Sequence, residues 1–235
     1  MGQQQIQAVL HWSGGKDSAL ALYTVLQQST IEVRYLLTTV SEQQRRITMH
    51  GVPEALLHRQ VACLGIPLQI ARMPTEASMA AYEQCMREAL APLRDQGVTH
   101  SLYGDIFLED LRRYREDQSR QLGLQPLFPI WQRDTYSLVQ EFIELGFRAI
   151  VVAVSDEQLG PEFIGRELDQ QFLEDLPEGV DPCGENGEFH TFVYDGPLFR
   201  QPVKVVPGIQ HLSFYPAPSG SGKVGFWFQD LQLAD

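Results

Sequence analysis

Residues 6–26 restrict the fold of this chain more than any other stretch. Ile6 to Trp12 is an apolar run of the length of one buried strand. Ser13, Gly14 and Gly15 then turn the chain, and from Asp17 onward Ala19, Leu20, Leu22, Tyr23, Val25 and Leu26 recur at helical spacing. A strand that passes through a Gly-rich turn into a helix leaves the first-turn N–H groups without intrahelical partners, at the positive end of the helix dipole. Such a junction suits an anion. Gly14 and Gly15 permit close backbone approach, Lys16 supplies a cation, and Ser13 and Ser18 supply hydroxyls.

The same alternation continues. Strands are expected over Glu32–Val40, Leu68–Ala71, Thr99–Tyr103, Pro126–Trp131 and Arg148–Val154. Helices are expected from Pro53 to Gly65, from Thr75 or Glu76 to Arg94, from Glu109 to Leu122 and from Asp134 or Thr135 to Leu145. Gln43–Gly51 reads as a loop. Alternating strands and helices imply an α/β, Rossmann-like parallel sheet with helices on both faces. Ligands of such sheets bind beyond the C-terminal strand ends, near the change in strand order. The turn at residues 13–15, Thr38–Thr39, Gly104–Asp105 and Trp131–Arg133 all sit at such ends.

The pattern changes after Ser155. One more helix is expected over Phe163–Leu176, then a loop from Pro177 to Glu188. Short β runs follow at Phe189–Tyr194, Val203–Val206, Leu212–Tyr215 and Phe226–Leu233, with a flexible hairpin tip over Pro218–Lys223. The expected division is therefore an α/β domain over 1–155 and a smaller α+β region over 156–235. Phe226, Trp227 and Phe228 fit a core strand or a homodimer interface, and their alternation favours core.

Composition narrows the function classes. The net charge is −12, whereas nucleic-acid binding relies on basic surface. DNA is therefore not expected as a partner, and Arg112, Arg113 and Arg115 form the densest basic patch. No apolar run reaches membrane-spanning length, so a cytoplasmic protein without membrane association is expected. Three cysteines, Cys63, Cys85 and Cys183, are too few and too scattered for a disulfide framework.

Ser13-Gly14-Gly15-Lys16-Asp17-Ser18 is not the common P-loop, which pairs Gly-Lys with Ser or Thr. Asp17 beside phosphates implies an intervening cation, so a Mg²⁺ ion held by Asp17 is expected. The six residues resemble the pyrophosphate-binding loop of the ATP pyrophosphatases, the PP-loop superfamily. Two further segments stand out. Gly104-Asp105-Ile106 follows a strand, where a carboxylate could reach a metal or an adenylated group, or cap the next segment. Gly184-Glu185-Asn186-Gly187-Glu188-Phe189-His190-Thr191 carries acids that could bind an amine or take its proton, and reads equally as an acidic surface loop. Cys183 and His190 alone make a poor zinc site.

Taken with Pro129-Ile130-Trp131, Leu159, Gly165-Arg166 and Asp195-Gly196-Pro197-Leu198-Phe199, these segments resemble the diphthine–ammonia ligase family as far as about residue 200. The resemblance implies that ATP adenylates a carboxylate, that of diphthine on an elongation factor, releasing pyrophosphate, and that ammonia then yields an amide and AMP. It implies ATP binding by Ser13, Gly14, Gly15, Lys16, Asp17, Ser18, Thr38 and Gly104. It implies catalysis by Lys16, Asp17, Asp105 and Glu188, and substrate binding by Gly184, Glu185, Gly187, Glu188, His190 and Thr191. Either Glu188 or His190 would relieve ammonium of its proton. The family's usual late motif differs at Asn186, Phe189 and His190, which leaves another carboxylate open as substrate. Two other classes also remain: an ATP pyrophosphatase acting on tRNA, and a nucleotide-sensing module.

Overall fold

The computed structural model describes residues 5–74, 78–216 and 222–234. Five strands, β1 (Ile6–His11), β2 (Ile31–Ser41), β3 (Leu68–Met73), β4 (His100–Leu102) and β5 (Gln125–Leu127), form one sheet in the order β3-β2-β1-β4-β5. All four of its pairings are parallel. Side-chain alternation splits the strands between two cores. Ala8, Leu10, Trp12, Leu36 and Val40 pack with α1 (Lys16–Leu26), α2 (Glu54–Leu64) and α5 (Thr135–Glu144). Val9, Leu37 and Ala71 pack on the opposite face against α3 (Met79–Asp95). Both faces are thus covered, as a parallel sheet requires. Leu10, Leu20 and Leu36 are fully buried, and truncation of any one to Ala is expected to cost about 2–5 kcal/mol.

α4 (Glu109–Gln121) follows β4 and carries little apolar surface. Asp134 caps α5 through the Ser137 N–H at 2.8 Å, and Gly65, at φ +74°, ends α2. Ser78 caps α3 by accepting from the Ala81 N–H at 3.2 Å. The expected start of this helix at Thr75 or Glu76 lies outside the described residues, as does the expected hairpin tip through residue 221.

The strand over 148–154 is the main departure. It forms β6 (Arg148–Ser155), but it leaves the parallel sheet. It lies between β7 (Phe189–Asp195) and β9 (Lys223–Leu233) in a second, antiparallel sheet of order β7-β6-β9-β8, completed by β8 (Val205–Pro216). A division at 155 would part β6 from its hydrogen-bonded neighbours, and the change of sheet falls between β5 and β6. A continuous apolar run reports burial on two faces, not which sheet supplies it.

The helix expected over Phe163–Leu176 is broken. A 3₁₀ turn spans Pro161–Phe163, and α6 (Gln170–Asp175) starts only after the Asp169 cap. Between them Gly165 takes φ +78°, and the chain pairs with β6 through Gly165 N–H to Val151 O and Val151 N–H to Arg166 O, both at 2.9 Å. Those tertiary bonds satisfy the backbone that a helix would have used. One strand, β8, takes in the expected segment 212–215 and the second half of the expected 203–206, starting only at Val205, with a register shift between Pro207 and Gln210.

Candidate active site

A cleft of about 420 Å³ opens beyond the C-terminal ends of β1, β2 and β4. β1 lies between β2 and β4, so the chain changes its direction of travel across the sheet here, where open α/β sheets bind ligands. Among the expected residues Ser13, Lys16, Asp17, Ser18 and Thr38 line it, with Gly104 and Asp105 from the end of β4. The loop before β7 contributes Gly184, Glu185 and Gly187, and the start of β7 contributes His190 and Thr191. Two segments some 170 positions apart therefore meet across one cavity.

Gly14, Gly15 and Glu188 do not line it. Gly14 has φ +81°, and a Cβ there would come within 2.9 Å of Gln60 Oε1. Its carbonyl accepts from the Gln60 amide at 3.0 Å and from the Val193 N–H at 2.9 Å. Gln60 is fully buried; it also accepts from the Trp12 indole at 2.8 Å and donates to the Val193 carbonyl at 2.6 Å. At Gly15 a Cβ would lie 3.0 Å from both His50 Cε1 and the Thr191 carbonyl. Both glycines are thus required by the protein's own packing behind the turn. The Gly15 and Lys16 N–H groups are engaged too, on Ser13 Oγ at 3.2 Å and Thr191 Oγ1 at 3.0 Å.

Glu188 is 1% exposed and turned into its own loop, where Oε1 accepts from the Asp181 N–H at 3.1 Å and the Asn186 amide at 2.9 Å. It holds the loop's shape and does not face the cavity, contrary to its expected catalytic place. Glu185 does face it. Its Oε1 accepts from the Ile106 N–H at 2.7 Å, joining the late loop to the end of β4. Burial first, then the charges of Asp17 and Asp105, push its carboxyl up to about 7, against the Ile106 N–H and Lys16.

The Lys16 ammonium binds Asp17 at 2.9 Å and the Cys183 carbonyl. Burial works against its charge, but Asp17, Cys183 and Glu185 raise its pKa overall. Burial raises Asp17, with Lys16 opposing. The His190 ring lies tilted against that of His50 with ring centroids 4.6 Å apart, and burial, then His50 and Lys16, lower its pKa well below the usual imidazole range. It is neutral at pH 7 and a weaker base than an ordinary imidazole. Burial pushes the Cys183 thiol far up, which removes it as a nucleophile.

Several lining residues were not expected as site residues: His11, His50, Tyr82, Tyr103 and Arg115, the last noted only as part of a basic patch. Leu108, Leu111 and Arg115 share one face of the α4 segment at positions i, i+3 and i+7, a spacing that could have marked Arg115. Trp131 and Arg133 do not line the cleft. Trp131 instead packs under the Arg112 guanidinium, 4.6 Å from its ring. Thr38 lines the cleft while donating its hydroxyl to the Trp12 carbonyl at 2.6 Å.

Buried polar atoms without a hydrogen-bond partner concentrate here. Among the described residues these include His11 Nε2, Asp17 Oδ1, Asp105 Oδ2 and Arg115 Nε, all on cleft-lining side chains. Unsatisfied buried groups are costly and rare, so four in one cleft mark a ligand site. Asp17 and Asp105 are hard oxygen donors that fit Mg²⁺, an ion usually held by one or two carboxylates plus substrate phosphates. Among the described residues, no group of three or more His, Cys, Asp or Glu could hold a metal.

A diphthine–ammonia ligase of Bos taurus is 36% identical over 154 residues, 63% of this chain and 57% of that protein. The Danio rerio diphthine–ammonia ligase is 30% identical over 176 residues, 72% of this chain and 68% of that protein. The match thus spans a little over half the length of the bovine relative. A solved structure from Methanocaldococcus jannaschii, described as a predicted subunit of tRNA methyltransferase, has a TM-score of 0.45 at 15% identity, covering 82% of this chain and 98% of that one. The family model for the diphthamide synthase N-terminal domain matches residues 6–126, and that for the C-terminal domain matches 134–215. The two matches meet where the chain passes from the parallel to the antiparallel sheet, and together they make it a member of the diphthamide synthase family.

Proposed function

We propose that this chain is an ATP-dependent, AMP-forming carbon–nitrogen ligase that converts a carboxylate to an amide with ammonia, the carboxylate being that of diphthine on an elongation factor. The convergence of four unpartnered polar atoms on the cleft beside Ser13–Ser18 carries this reading. The family membership supports the same chemistry.

In the first step a substrate carboxylate oxygen attacks the α-phosphorus of ATP. The new O–P bond forms as the bond to the β-phosphate oxygen breaks, and pyrophosphate leaves. Ser13, Ser18 and the Lys16 ammonium take the leaving group. Asp17 and Asp105 would hold Mg²⁺, which offsets phosphate charge when bound. In the second step ammonia attacks the acyl carbon and AMP departs. The attacking nitrogen must shed a proton, and Glu185 is the loop carboxylate that faces the cleft. Its pKa of about 7 suits proton transfer near neutrality. Glu188 keeps the loop in register, and the adjacent, neutral His50 and His190 line the cavity beside Thr191.

The test supplies Mg·ATP, ammonium and the diphthine-bearing factor. AMP and pyrophosphate are the expected products, and ADP with phosphate refutes the ligase. In Glu185→Gln, substrate-dependent exchange of labelled pyrophosphate into ATP should persist, while amide formation falls by roughly 10²-fold or more. A base works deprotonated, so wild-type amide formation should rise more steeply as pH passes about 7 than that of the variant, in which only the supply of free ammonia grows. Loss of exchange in the variant would move Glu185 to the first step.

A further inference from the structure

Arg115 has no place in the chemistry above, yet its position is built. It stands on the α4 wall of the cleft with its side chain 24% exposed. The guanidinium lies 5.2 Å over the Tyr103 ring, and Nη1 donates to the Tyr82 hydroxyl at 3.1 Å. Two aromatic residues thus fix the fork. Nε is buried without a hydrogen-bond partner, and Asp105 Oδ2, 3.8 Å away, also lacks one. With Nη1 engaged and Nε only ion-paired to Asp105 at 3.8 Å, the Nε–Nη2 edge is the pair of parallel donors that matches two oxygens of one phosphate or carboxylate.

Charge argues for a phosphate. Asp17, Asp105 and Glu185 share the lining, and the Lys16 ammonium already serves Asp17 and the Cys183 carbonyl. A triphosphate entering this cleft needs a further cation, and Arg115, on the α4 wall rather than in the turn, supplies one. Resting on the ligase reading, we propose that Arg115 binds the α-phosphate of the nucleotide through its Nε–Nη2 edge, holding the phosphorus that the carboxylate attacks. As charge grows on the α-phosphate oxygens, a guanidinium already fixed in place stabilises it without reorganising.

The experiment is calorimetry on wild type, Arg115→Met and Arg115→Lys with AMP, Mg·ATP, Mg·pyrophosphate and adenosine. Methionine keeps an apolar stem over Tyr103, and thermal melts check the fold. Arg115→Met should bind AMP and ATP roughly tenfold or more weakly, with pyrophosphate and adenosine unchanged and part of the loss recovered in Arg115→Lys. Unchanged AMP affinity overturns the proposal and leaves the acyl carboxylate as the oxyanion. An equal loss for pyrophosphate or adenosine also overturns it, since Arg115 would then shape the whole cleft. A wild-type protein that binds neither nucleotide nor pyrophosphate defeats the ligase reading itself, and this inference with it.

Discussion

Replacing Glu54 by Gln tests how the loop bearing His50 is held. Glu54 opens α2, and its side chain is 6% exposed. Arg72 of β3 grips both carboxylate oxygens at 2.7 and 2.6 Å, Arg45 approaches to 2.8 Å and His58 to 3.3 Å. The Arg72 hydrogen bonds, against the opposing effect of burial and with help from His58 and Arg45, lower the carboxyl from 4.5 to about 2. A drop of that size is worth about 3.4 kcal/mol of preference for the charged form. The Arg72 and Arg45 side chains are 35% and 63% exposed, so solvent screening reduces the stabilisation to about 2–3 kcal/mol. For a domain of this size that lowers Tm by about 5–10 °C. The folded pKa lies below the unfolded one, so the contribution is complete above about pH 4.5 and is lost as pH falls through about 2. Roughly two fifths should be gone at pH 3.5. Urea unfolding of wild type and Glu54→Gln at pH 7, 5 and 3.5 measures it. A gap under about 0.5 kcal/mol at pH 7, the value of an ordinary surface substitution, or one that stays constant down to pH 3.5, refutes the reasoning.

Two further outcomes follow from the packing behind the turn. Gly15→Val should abolish ATP binding and also lower Tm, because its Cβ meets His50 and the Thr191 backbone at 3.0 Å; a variant that loses ATP but melts like wild type would show that the side chain blocks only the phosphate. Gln60→Leu strands the Trp12 indole N–H and the Val193 carbonyl and should cost about 2–4 kcal/mol in urea unfolding, whereas a neutral result would mean that water replaces the amide.

Local chemistry makes much of this protein legible in the order of its residues. The strand, Gly-rich turn and helix at residues 6–26 form as periodicity demands, and the caps at Gly65 and Asp134 sit where their residue types place them. The alternation of strands and helices leads to a parallel sheet covered on both faces because each element's apolar pattern states how many sides it must bury. Ser13, Lys16, Asp17, Asp105 and Glu185 belong to motifs whose donors and charges announce an anion and a cation. Tertiary structure alone decides where β6 goes, since a run buried on both faces fits the middle of either sheet. It breaks the expected helix after Phe163 by pairing that backbone with β6. It turns Glu188 inward and Glu185 outward, a distinction that three residues of chain cannot express, because it depends on whether Ile106 or Asp181 lies within reach. It also brings Arg115 over Tyr103, through the meeting of α4 with β4, to face a cleft whose opposite wall is made some 70 residues later in the chain.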